Sequence, residues 1–129
     1  MIVTLTIGAA LLLLNIWLMI RCTQARASEK VSVEDEGNEF VIRRMRAHAN
    51  FIESAPLVLI LLGALEYVST PETWLWIVGI VYVIGRIAHT FGMDGGSLAK
   101  GRFVGTILTL ATQLALAITA VISVYSKIL

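Results

Sequence analysis

Cysteine is nearly absent. Cys22 stands alone, so no disulfide can close within the chain, and its thiol reads as an inert group at a helix end. With only His48 and His89 beside it, the chain also lacks a convincing zinc set, which takes three or four nitrogen, sulfur or oxygen ligands. Glu53, His48 and His89 form the one triad that could be drawn, and no metal is expected. Neither sign of charge is in surplus: 10 Lys and Arg against 9 Asp and Glu leave a net charge of +1. Nucleic acid, which is held by many basic contacts to phosphate, is therefore not indicated as a partner. No basic residue precedes the first apolar run, and no small-x-small site follows it before Arg21. That run reads as a retained helix, not as a cleaved signal. Internal repeats and low-complexity tracts are missing too.

Apolar sequence is what the chain has in abundance. Hydrophobic residues make up 57% of its 129, and mean hydropathy is +0.84. A soluble domain keeps more of its sequence polar, because its surface faces water. A hydrocarbon core about 30 Å thick takes about 20 mainly apolar residues per helix. Four stretches qualify: Ile2–Ile20, Ala47–Val68, Trp74–Met93 and Phe103–Tyr125. The expected fold class is all-α integral membrane, a bundle of four transmembrane helices. The helices are expected near residues 2–24, 40–68, 71–93 and 100–127 of a single domain spanning 1–129.

Basic residues are unevenly placed. Arg21, Arg26, Lys30, Arg43, Arg44 and Arg46 flank the first loop, and Lys100 and Arg102 flank the third. The second loop, residues 69–73, has none, and the C-terminal end has Lys127. The positive-inside rule then places loops one and three in the cytoplasm and both termini outside. Most of the loop charges, Glu34, Asp35 and Glu36 included, read as a solvated hairpin, and so does Glu66 near the outer end of helix two. Gly37-Asn38 is a candidate start for helix two. Thr70-Pro71-Glu72 offers helix three a capping hydroxyl, a first-turn proline and an acid. Asp94-Gly95-Gly96-Ser97 reads as a turn. Pro56, inside helix two, frees the carbonyl of Ile52. Gly79, Gly85 and Gly105 suit close helix contact, and Trp74, Trp76 and Tyr125 an outer interfacial belt.

Against this background Glu53 and Arg86 stand out, because a charge at the centre of a bilayer costs at least about 2.5 kcal/mol. Arg46, Asn50 and Glu53 share one face of helix two, and Arg86 and His89 share one face of helix three. Both charges approach to similar depth from the same side. A Glu53–Arg86 ion pair or shared hydrogen-bond network is expected, either as a lock between two helices or as the floor of a ligand site.

The runs Arg46-Ala47-His48-Ala49-Asn50-Phe51-Ile52-Glu53-Ser54-Ala55-Pro56 and Gly85-Arg86-Ile87-Ala88-His89-Thr90, with Arg102 opening helix four, resemble a known family. It is that of the membrane-associated proteins in eicosanoid and glutathione metabolism. The resemblance covers nearly the whole chain and is nearest to the small bacterial members; microsomal glutathione transferase and prostaglandin E synthase are more distant. It implies a homotrimer in a bacterial inner membrane, binding glutathione between neighbouring subunits as co-substrate. Asn50 and Glu53 would then bind the tripeptide's backbone or amino group, Arg86 would support Glu53, and His89 would touch the ligand. Arg26 would hold a carboxylate and Arg102 would stabilise the thiolate. Met93 and Thr106 stand where several members have tyrosine, and Phe103 where the prostaglandin synthase has serine.

The implied activity is a glutathione-dependent transferase or peroxidase, acting on a hydrophobic small molecule or lipid. Two alternatives remain. A non-catalytic scaffold of the same family would bind lipid without turnover. A small drug–proton antiporter would also have four spans and a membrane carboxylate, but in helix one this chain offers only Asn15 where that class typically carries glutamate.

Overall fold

Four helices follow one another in the computed structural model, which describes residues 1–68 and 70–129. They are α1 (Ile2–Glu29), α2 (Glu39–Tyr67), α3 (Glu72–Met93) and α4 (Lys100–Ile128), with a short 3-10 turn at Gly96–Leu98. Ser69, in the second loop, lies outside the described residues. Each of the four is long and apolar enough to cross a membrane, and no strand occurs among the described residues.

Helix one continues to Glu29 and does not stop near residue 24. Its last residues, Gln24-Ala25-Arg26-Ala27-Ser28-Glu29, are polar but mostly good helix formers, so the helix outlasts the apolar run. Lys30 ends it in the left-handed conformation (φ 57°), its N–H bonded to the Arg26 carbonyl. Helix two starts where Asn38 caps it, with Oδ1 accepting from the Val41 N–H at 3.1 Å. The expected Thr70 cap on helix three is not formed: Pro71 takes the N-cap position and no side chain caps the helix. A residue before proline is driven out of helical conformation, and the Thr70 N–H instead bonds the Leu65 carbonyl at the end of α2. Gly95 turns the chain after α3 at φ 84°.

The core lies between α1, α2 and α3. Val3, Ile7, Leu11, Leu14 and Leu18 form one stripe of α1 and meet Phe51, Val58, Leu62 and Leu65 of α2 and Leu75, Val78 and Tyr82 of α3. Among the described residues, helix four contributes buried Leu116 and half-buried Ala120 to that cluster. It joins the bundle through small residues instead. A methyl group at Gly105 would meet the Gly85 carbonyl oxygen at 2.5 Å and the His89 backbone N at 2.6 Å, and one at Gly101 the Ala88 carbonyl oxygen at 2.6 Å. Close backbone approach of this kind is how helices associate where lipid removes the hydrophobic drive. The outward faces carry Leu5, Leu12, Leu13, Ile60, Leu114 and Ile122, all exposed as lipid-facing residues would be.

The two ends of the bundle differ in charge. At one end Asp94, closing α3, receives Arg21 of α1 at 2.5 Å and approaches Arg44 Nε of α2 at 3.3 Å, the second contact lacking hydrogen-bond alignment. Arg21 also lies over the rings of Trp17 and Phe91, at 5.0 and 5.6 Å. At the other end Glu66 corrects the expectation of a solvated acid. Its side chain is only 3% exposed and lies 3.1 Å from the Met1 ammonium. It accepts from the N–H groups of Val3 and Thr4 and from the Thr4 hydroxyl. The first N–H groups of a helix have no partner within it, and this carboxylate supplies one from a neighbouring helix.

Candidate functional site

A polar recess of about 250 Å³ opens between α2, α3 and α4, lined by Asn50, Glu53, Ser54, Arg86, Thr106, Thr109, Leu110 and Gln113. Helical periodicity builds its walls. Asn50 and Glu53 share a face of α2, and Thr106, Thr109 and Gln113 share a face of α4 with Arg102 one turn earlier. Arg86 reaches the recess from α3, whose glycine at position 85 lets α4 approach to Leu108 and Gly105.

Arg86 is 2% exposed. Its Nη1 donates to Asn50 Oδ1 at 2.5 Å, while Nε and Nη2 are buried without a partner. The expected Glu53–Arg86 ion pair is not formed: no approach within 4.0 Å occurs. Glu53 is exposed and makes no hydrogen bond among the described residues. Both side chains nevertheless border the same recess. The neutral amide of Asn50 takes the place expected for the carboxylate, which leaves the cation uncompensated and the carboxylate available.

The remaining candidates lie around this recess or away from it. His89 is buried one turn from Arg86, against Gly105 of α4, and its ring forms no hydrogen bond among the described residues. Arg102 is exposed in the first turn of α4, about 6 Å along the axis from Thr106 at 1.5 Å per residue. Arg26 is not brought to the recess. It donates to the Glu34 carbonyl at 3.2 Å and to Met45 Sδ at 3.4 Å, and it borders a different hollow with Cys22 and His48. There His48 Nε2 lies 2.7 Å from Asn15 Oδ1, joining α1 to α2. Met93 packs against the core and Phe103 is exposed, so neither borders the recess. Among the described residues, no three His, Cys, Asp or Glu side chains converge as a metal site would require.

Sequence reasoning missed Ser54, Thr109 and Gln113, and placed Thr106 only as a position where relatives have tyrosine. The signal on helix four was present: Arg102, Thr106, Thr109 and Gln113 fall on one helical face of a mostly apolar segment. It also left Tyr82 without a role. That residue is fully buried, and its hydroxyl lies 2.6 Å from Ser54 Oγ.

Compared with models of known protein families, residues 4–122 match the MAPEG family. No curated protein matches the chain.

Proposed function

The chain belongs to the MAPEG family, the integral membrane proteins of glutathione and eicosanoid metabolism, and on that premise we propose that it is a glutathione-dependent transferase or peroxidase. The observation that carries this reading is a buried Arg86 with two unpartnered nitrogens, lining the same recess as an unpaired Glu53. An unsatisfied buried donor costs about 1–3 kcal/mol, more for a charged group. A ligand carboxylate at Arg86 removes that penalty, and a ligand ammonium at Glu53 supplies the missing counter-charge. Glutathione carries both groups on one carbon.

The thiol follows from the same orientation. With its amino end at Glu53 and Arg86, the peptide extends along α4 towards Arg102, whose guanidinium has no side-chain partner among the described residues. A free thiol has a pKa of about 8.5, and only the thiolate is a good nucleophile. A neighbouring guanidinium favours that form. The thiolate attacks an electrophilic carbon, a C–S bond forms, and the leaving group departs with its electron pair. With a lipid hydroperoxide the sulfur takes the distal oxygen, the O–O bond breaks, and the lipid leaves as an alkoxide that takes a proton to become the alcohol. A second glutathione then reduces the sulfenic acid to disulfide and water. The apolar partner enters from the bilayer.

Arg26, on another face, joins the site only from a neighbouring copy, which agrees with a homotrimer whose sites lie between subunits. Loops one and three then face the cytoplasm, where glutathione is supplied, and the membrane is a bacterial inner membrane. A non-catalytic lipid-binding scaffold is the second reading, favoured by Met93 and Phe103, which bring no hydroxyl to the recess.

The test is purification in detergent, titration with glutathione, and reaction with a chlorodinitrobenzene. Binding with conjugation, the conjugation lost in Arg102→Ala, supports the enzyme. Binding without turnover selects the scaffold. No binding, with proton-coupled efflux dependent on Glu53, selects the antiporter.

A further inference from the structure

The donors around the recess are unequal. Thr106 and Thr109 give their hydroxyl hydrogens to the carbonyls of Arg102 and Gly105 within their own helix, both at 2.8 Å. They offer the recess only lone pairs. Ser54 differs, because its intrahelical bond to the Phe51 carbonyl is long, at 3.4 Å. Its oxygen lies 2.6 Å from the Tyr82 hydroxyl.

Each of these hydroxyls has one hydrogen to give. Tyr82 is fully buried and has no other acceptor among the described residues. If Ser54 donated to Tyr82, the phenolic hydrogen would be buried without a partner, at a cost of about 1–3 kcal/mol. Tyr82 therefore donates and Ser54 accepts. The Ser54 hydrogen is left with the weak Phe51 contact, from which a better acceptor in the recess can take it. Arg86, whose Nε and Nη2 have no partner, lines the same recess as Ser54.

We propose that Ser54, held by Tyr82, binds the α-carboxylate of the ligand's γ-glutamyl group together with Arg86. Ser54 is then a specificity-determining binding residue and Tyr82 its positioning residue. The inference rests on the glutathione reading above. It assigns the α-carboxylate and not the glycine carboxylate, because the ammonium taken by Glu53 is attached to the same carbon. A ligand with an amine but no adjacent carboxylate loses this contact.

The experiment is calorimetric titration of the full chain in detergent with glutathione and with γ-aminobutyryl-cysteinylglycine, which keeps the amine and lacks the α-carboxylate. Ser54→Ala weakens glutathione binding about tenfold, the size of one hydrogen bond to a charged group. Tyr82→Phe, which keeps the ring packing, weakens it about threefold, and Ser54→Thr restores affinity towards wild type. The Ser54→Ala/Tyr82→Phe double variant is no weaker than Ser54→Ala. All variants bind the decarboxylated analogue as wild type does, which a merely structural role of the hydroxyls would not give. If both single variants bind glutathione like wild type, this inference fails and the glutathione reading stands. Equal losses towards both peptides overturn it as well. A wild-type protein that binds neither peptide overturns the reading and the inference together.

Discussion

Arg86 donates to Asn50 across 2.5 Å, and Glu53, one turn further along the same helix, is left out of the pair. A lock between α2 and α3 would have used the carboxylate. The observed arrangement keeps a buried cation whose remaining nitrogens have no partner, which is poor economy for stability and a good fit for an anionic ligand. Replacing even a buried ion pair by apolar side chains of similar volume is often neutral or stabilising, and Arg86 has no counter-ion among the described residues to offset its desolvation. Arg86→Met is therefore expected to keep or raise the thermal midpoint while glutathione binding falls at least about tenfold. Unfolding followed by circular dichroism, with parallel calorimetry, separates the two effects. A steep loss of stability with unchanged binding would make Arg86 a structural lock.

Glu53 gives the complementary case. It makes no hydrogen bond or ion pair among the described residues, so Glu53→Gln leaves the unfolding free energy of the unliganded protein within about 0.5 kcal/mol of wild type, as for other surface substitutions. On the proposed reading, removing its charge takes away the partner of the ligand ammonium, and affinity is expected to fall about tenfold or more. Titration with glutathione and with a deaminated analogue decides the matter. The variant should lose discrimination between them.

The close contact of α3 with α4 predicts intolerance to a single methyl group. A Cβ at Gly105 would sit 2.5 Å from the Gly85 carbonyl oxygen and 2.6 Å from the His89 backbone N, neither of which belongs to a flexible side chain. Gly105→Ala is expected to destabilise the protein by about 1–3 kcal/mol, as overpacking commonly does, and to displace His89 and the recess wall. Gly96, where an added methyl meets nothing within 4 Å, has φ +65° and would show conformational strain instead. Thermal unfolding of the two alanine variants compares packing with backbone strain.

How much of this was legible in the sequence follows from the range of each interaction. The four spans rest on runs of apolar residues, and Asn38 acts through its own helix start, so local pattern revealed both. Grouping Asn50, Glu53 and Arg86 required only helical faces and matching depth. The partner within that group was not legible, since Asn50 and Glu53 share a face and a small rotation decides which meets Arg86. Glu66 was misread because its partners, Val3 and Thr4, are distant in sequence. Tyr82 and Ser54 give no local signal of a partner, because their contact forms only when two helices pack. Asp94 was read as a turn residue for the same reason.

That aspartate carries the last prediction. Asp94 closes α3 and gathers Arg21 of α1 and Arg44 of α2, so one carboxylate ties three helices together at the basic end. Arg21 is 9% exposed and stacked against Trp17 and Phe91, and it cannot turn to water without giving up those contacts. Asp94→Asn leaves two neighbouring guanidiniums without a counter-ion. Removing one member of a buried pair costs about 3–5 kcal/mol, but the Asp94 side chain is 30% exposed, so solvent screening reduces the expected loss to about 1–3 kcal/mol. Asp94→Asn/Arg21→Met, which removes the orphaned cation as well, recovers much of it. Thermal unfolding of wild type, both single variants and the double variant forms a closed cycle. Purely additive losses would show that Asp94 and Arg21 are not coupled.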